Sequence, residues 1–169
     1  MIQCSECSLH KYRTNIVMGR GSIPAQLLII SEAPGISEDA VGRSAVGRSG
    51  KLLDSMVKHS TPYGMEISYY ITNCIFCRPC DSLNGPSRQP TKEEILKCSP
   101  NLMELIRQVS PRAVVLAGKI AEQIFIKEFP HSYKIQHPSF ILKTGGIFSP
   151  YFIQNTLILK EAITYALQN

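Results

Sequence analysis

A three-layer α/β fold around a parallel sheet of four strands is predicted by three features of the 169-residue sequence. Short unbroken apolar runs end in loop-forming residues, as buried parallel strands do. Apolar residues at helical spacing fall between those runs, which gives a βαβ alternation. The composition, 44% hydrophobic and 18% charged, fills a sizeable core and excludes both a disordered chain and a coiled coil.

The first strand is Leu27 to Ile30, which runs into the turn Ser31-Glu32-Ala33-Pro34-Gly35. Ile67 to Thr72 and Ala113 to Ala117 have the same β-branched character and exit at Asn73 and Gly118; Tyr133 to Gln136 is a weaker fourth run leading into His137-Pro138-Ser139. The clearest helix opens at Thr91, where Thr91-x-x-Glu94 has the form of a capping box. Ile95, Cys98, Leu102, Leu105, Ile106 and Val109 follow as its inward stripe. Further helices are expected from about Val46 to His59, Lys119 to Lys127 and Thr156 to Leu167. Asp81 to Pro90 is a turn-rich insertion, there is no internal repeat, and residues 1–169 read as a single domain.

Lys, Gln, Pro or Gly interrupts every apolar stretch before it reaches the roughly 20 residues of a membrane span, so no membrane association is expected. The first residues lack the apolar centre of a signal peptide, which places the six cysteines in a reducing, cytoplasmic compartment as ligands or buried thiols. The formal charge of +5 permits a nucleic-acid partner without demanding one.

In open sheets of this class, ligands bind beyond the carboxyl ends of the strands. Three segments lie there: Ser31 to Asp39, Asn73, and His137 to Ser139. Cys4-x-x-Cys7 stands in a polar segment with little core to join, and its thiols suit a zinc ion or an iron–sulfur cubane completed by two of Cys74, Cys77, Cys80 and Cys98. Cys74 and Cys80 read as small buried hydrophobes. The spacing alone leaves the second pair of ligands open.

Taken in order, Cys4-x-x-Cys7-x-Leu9, Arg13-Thr14, Val17-Met18-Gly19, the run Ser31 to Asp39, Gly42, Val46-Gly47-Arg48 and Gly50 to Asp54 resemble the family 4 uracil-DNA glycosylases. The resemblance continues through Tyr70 to Asn73, Cys77-Arg78-Pro79, Glu94-x-x-x-Cys98-x-Pro100 and His137-Pro138-Ser139, and so covers nearly the whole chain. It implies a three-layer fold with a four-stranded parallel sheet and a structural [4Fe-4S] cluster on Cys4, Cys7, Cys77 and Cys98. It also implies removal of uracil from DNA by a monomer, leaving an abasic site, with repair or replication proteins as further partners. Related domains also occur attached to phage DNA polymerases. The alternative is therefore a non-catalytic DNA-binding or replication-associated module that keeps the fold and cluster.

The residues suit the implied chemistry. Breaking the bond from the sugar to uracil N1 builds positive charge on the sugar and negative charge on the base, so a carboxylate near one and a donor near the other lower the barrier. By resemblance Glu32 positions water and steadies the sugar, while His137 donates towards uracil O2. The Asn73 amide offers an acceptor for N3–H and a donor for O4, the reverse of what cytosine needs; a strand-end turn cap is the other use of such an Asn. Glu38 matches the family position beside uracil C5 and equally suits a helix start. Gly35 and Ala45 complete the base-binding set. Arg48, Ser139 and the stretch Gly47 to Gly50 suit phosphate contacts, and Phe140, Ile141 or Leu142 would supply the apolar wedge that replaces a flipped base.

Two positions depart from the family. Ser31 replaces a glycine, and Ser44-Ala45-Val46-Gly47 stands where the family has Pro-Phe-Val-Gly. Ala45 cannot stack on a base, a contact worth roughly 1–3 kcal/mol. Weakened base capture is expected unless another ring, such as Tyr63 or Phe76, takes over.

Overall fold

The computed structural model describes residues 3–169. Its strands are β1 (Arg20–Gly21), β2 (Leu27–Ser31), β3 (Tyr69–Asn73), β4 (Ala113–Ala117) and β5 (Tyr133–Ile135). They form one sheet in the order β1-β3-β2-β4-β5. The pairs β3–β2, β2–β4 and β4–β5 are parallel, so the four expected strands are present. The fifth, β1, is antiparallel to β3 with Arg20 opposite Ile71, and two residues are too few for any alternation to show in the sequence.

The helices are α1 (Ile36–Val41), α2 (Arg48–Ser60), α3 (Lys92–Val109), α4 (Lys119–Phe125), α5 (Pro138–Lys143) and α6 (Pro150–Gln168), with 3-10 turns at Ser8–Lys11 and Gly146–Phe148. Because successive strand side chains point to opposite faces, β2 feeds two cores. Leu27 and Ile29 join Leu53 and Met56 of α2, Ile141 of α5 and Leu159 and Ile163 of α6. Leu28 and Ile30 join Leu102, Leu105 and Val109 of α3 and Ala121 and Phe125 of α4. This is the three-layer arrangement, and among the described residues no helix is long and apolar enough to cross a membrane.

Helix starts follow local chemistry. Thr91 Oγ1 accepts the Glu94 N–H (3.2 Å) while the Glu94 carboxylate accepts the Thr91 N–H (2.8 Å), which is the capping box read from the sequence. Arg88 adds two bonds to the same carboxylate, at 2.9 and 2.7 Å, and so ties the Asp81–Pro90 insertion to α3. The last helix begins at Pro150, six residues earlier than its apolar spacing suggests, because Ser149 caps it and Pro fits the first helical position.

Candidate functional site

Beyond the carboxyl ends of β2 and β3 lies a cleft whose wall includes Gly35, Glu38, Ala45, Asn73, His137 and Ser139. Arg48 reaches it from the start of α2. The three strand-following segments therefore converge, although they are far apart in sequence. The neighbours of β2 are β3 on one side and β4 on the other, and this reversal of the chain's path opens such a crevice.

His137 caps α5, and its Nδ1 accepts the backbone N–H of Ser139 at 3.2 Å, with Ser139 Oγ 2.7 Å away. A backbone N–H can only donate, so Nδ1 is unprotonated and the ring carries its proton on Nε2. Burial holds the His137 pKa below its ordinary value of 6.5, and the ring is a neutral donor at neutral pH. The ring packs where Gly118 ends β4: a Cβ there would stand 3.0 Å from His137 Cβ, and Gly118 also holds φ at +95°. Both the contact and the backbone favour glycine.

Glu38 takes the helix-start role. Its carboxylate accepts the N–H of Gly35 at 3.2 Å and of Gly47 at 2.9 Å, so it both starts α1 and clamps the two loops that wall the cleft. Asn73 is buried at the end of β3, and its Nδ2 donates to Ser44 Oγ at 3.1 Å. Glu32 lies outside the residues that wall the cleft. It is half-buried, desolvation raises its pKa above 4.5, and its charge is felt by the neighbouring Cys74 thiol.

The structure corrects two expectations. Ile141 is fully buried in the core beneath α5 and α6, so it cannot enter DNA; Leu142 packs partly against that core, while Phe140 is 40% exposed. Neither Tyr63 nor Phe76 replaces the missing ring. Phe76 is buried on the opposite face of the sheet, and Tyr63 stands in solvent on the turn after α2, beside a different cavity. Among the described residues no Phe, Tyr or Trp walls the cleft. The sequence reading missed Ile147 and Phe148, 56% and 90% exposed on the turn after α5. Exposure of large apolar side chains is a signal that periodicity cannot carry.

A second pocket gathers Cys4, Cys7, Cys77 and Cys98, with Leu9 and Ile75 among its apolar walls. Cys74 and Cys80 lie outside it as buried thiols, Cys74 Sγ donating to the Ser31 carbonyl at 3.0 Å. No three of the described His, Cys, Asp and Glu side chains are grouped closely enough to hold a single metal ion. The four thiols that line this pocket match in number and type the donor set of a cubane, which takes one thiolate at each iron. Arg13 bridges the set, giving hydrogen bonds to Cys77 Sγ at 3.3 Å and to the Cys4 carbonyl at 2.6 Å. Burial pushes the Cys98 thiol up to about 12. Burial raises the Cys77 thiol as well, so without a cation these two sulfurs stay protonated at neutral pH.

Comparison with known proteins agrees with this geometry. The chain is 34% identical to the Type-4 uracil-DNA glycosylase of Sulfurisphaera tokodaii, over 85% of this chain and 64% of that protein. It is 36% identical to the Type-4 uracil-DNA glycosylase of Archaeoglobus fulgidus, over 76% of this chain and 61% of that one. The corresponding protein of Thermotoga maritima is 35% identical, over 73% of this chain and 61% of its own length. The chain thus spans a little under two thirds of the curated relatives it matches. The sequence model described as "Uracil DNA glycosylase superfamily" matches residues 18–157, which run from the strand before the cleft to the last helix, and the chain belongs to that superfamily.

Proposed function

We propose that this protein is a uracil-DNA glycosylase that hydrolyses the N-glycosidic bond of uracil in DNA. The observation that carries the reading is the convergence of Asn73 and His137 in one cleft beyond the strand ends, a pair that a scaffold without catalysis has no physical need to assemble. The C1′–N1 bond breaks with its electron pair going to uracil, and water adds its oxygen to C1′, its released proton ending on the uracil that leaves. Charge then appears on uracil O2, where the Nε2–H of His137 donates. The Glu32 carboxylate holds the water and faces the positive sugar. Asn73 Oδ1 accepts N3–H and Nδ2 donates to O4, which selects uracil over cytosine.

DNA is held by phosphate contacts. Gly47 caps α2 without a side-chain bond, which leaves the first N–H groups of that helix for an anion, and Arg48 adds a cation at the same point. Phe140, Leu142, Ile147 and Phe148 supply the apolar surface that fills the gap left by a flipped base. Cys4, Cys7, Cys77 and Cys98 would hold a [4Fe-4S] cluster, which supplies a rigid anchor for the amino-terminal segment. The protein acts as a monomer in a reducing, cytoplasmic compartment, as one domain.

Uracil release from single- and double-stranded oligonucleotides under enzyme excess tests the reading. Asn73→Asp is expected to shift preference towards cytosine, because its acceptors suit the cytosine amino group. Binding of DNA with no release of uracil would favour the non-catalytic module instead. Release is also expected to fall as pH drops below neutral. Glu32 must be ionised, and its raised pKa moves loss of the carboxylate above pH 4.5; His137 stays neutral to below pH 6.5. The acid limb of a single-turnover pH profile is therefore expected above pH 4.5, on the side to which burial moves Glu32.

Ala45→Phe is expected to raise the rate. Ala45 holds φ at +56°, a left-handed conformation that a bulkier side chain adopts less readily, so backbone cost offsets part of the gain. Its new ring would supply the missing stacking face, worth about ten- to a hundredfold in single-turnover release, most clearly for uracil opposite adenine. An unchanged rate with an intact fold would show that Ala45 does not face the base.

A further inference from the structure

We infer that Ser44 is a positioning residue for base recognition: its buried hydroxyl fixes the plane in which the Asn73 amide meets uracil. The inference rests on the glycosylase reading and adds to it a role for Ser44, which stands where the resembled family has proline.

Ser44 and Asn73 are 1% and 5% exposed, so the 3.1 Å bond between them is not open to exchange with solvent. A primary amide carries two hydrogens. The inference assigns to Ser44 Oγ the one directed away from the carbonyl, so that the other, beside Oδ1, leaves the acceptor–donor edge that N3–H and O4 require. Rotation of the amide would break the Ser44 bond and misalign both contacts to the base. In a cleft without a stacking ring, orientation of the base depends more heavily on this edge.

The serine is itself held firmly. Arg20 Nε donates to the Ser44 carbonyl at 2.9 Å, and Arg20 Nη2 reaches the Ala45 carbonyl at 3.4 Å. That guanidinium is anchored by both oxygens of Asp54, at 2.6 and 2.7 Å, and Tyr69 donates to the same carboxylate at 3.2 Å. Beneath the loop, the Ala45 carbonyl lies so close to Gly50 that a Cβ there would fall 1.9 Å from its oxygen. The edge strand β1, absent from the sequence reading, thus supports the loop that orients Asn73.

A double-mutant cycle tests the inference. Wild type, Ser44→Ala, Asn73→Ala and the double variant are compared for binding of an oligonucleotide carrying 2′-fluorinated deoxyuridine, whose glycosidic bond resists cleavage, by fluorescence anisotropy. Uracil release by wild type and Ser44→Ala from the ordinary deoxyuridine oligonucleotide is measured alongside. Ser44→Ala is expected to weaken both by about three- to tenfold. The same change in the Asn73→Ala background is expected to have no further effect, because its target is gone. An equal loss in both backgrounds, or none in the wild-type background, would overturn the role of Ser44 while leaving a wild type that releases uracil as a glycosylase. A wild type that releases no uracil would overturn the glycosylase reading and the role of Ser44 together.

Discussion

His137→Ala is expected to lower single-turnover uracil release by roughly 10²–10³-fold, the scale of removing one donor from a site of developing negative charge. Binding of uracil DNA is expected to change far less, because the bond from Nε2–H to O2 strengthens only as charge leaves the sugar. The His137 proton sits on Nε2 because the Ser139 N–H occupies Nδ1, and burial keeps the ring neutral. His137→Gln, which retains a neutral N–H donor, is therefore expected to keep more activity than His137→Ala. Ser139→Ala removes the hydroxyl beside Nδ1 but leaves the backbone N–H in place, and its effect is expected to stay within about tenfold. Full activity in His137→Ala, measured at pH 7 with the fold intact by circular dichroism, would remove the histidine from the mechanism.

The parts of this molecule that the sequence displayed are those set by periodicity and by short-range chemistry. The runs Leu27 to Ile30 and Ala113 to Ala117 appear as β2 and β4 within one residue, and the Thr91–Glu94 box starts α3 as expected. Helix α5 was hidden because six residues hold too little periodicity, although His137 followed by Pro138 carries the signature of a cap and first turn. For the site, place after a strand pointed to the segments that hold Glu38, Asn73 and His137, while Ala45 came only from the resemblance; one cleft gathers all four. What could not be read was burial across distant segments. Phe140, Ile141 and Leu142 are equivalent as a string, and packing under α6 alone separates Ile141 from Phe140. The Ser44–Asn73 bond joins residues 29 apart and has no local signature.

Cys98→Ala is expected to abolish the brown colour of the purified protein and the iron and sulfide that accompany it, about four of each per chain. Cys74→Ala and Cys80→Ala are expected to keep both, since those thiols lie outside the four-cysteine pocket. The loss would extend beyond the metal. Cys4 and Cys7 belong to the amino-terminal segment, Cys77 follows β3 and Cys98 lies on α3, so the group joins three separated stretches of chain. Losing a cross-link of this kind costs on the order of 3–5 kcal/mol, which lowers the melting temperature by roughly 6–20 °C for a domain of this size. The loosened segment is also bound to the site. Asp39, buried on α1, accepts the N–H of Thr14 at 3.0 and 3.1 Å and of Asn15 at 3.2 Å, and Asn15 returns a bond to the Asp39 carbonyl at 2.7 Å. Its neighbour on the helix is Glu38, whose carboxylate clamps Gly35 to Gly47. Fraying that begins at the cysteines therefore reaches the base-binding loops through α1, and uracil release is expected to fall with the colour. A colourless wild type holding one zinc by elemental analysis would replace the cluster with a different staple, and the same path through Asp39 would then be tested by chelation instead of by Cys98→Ala.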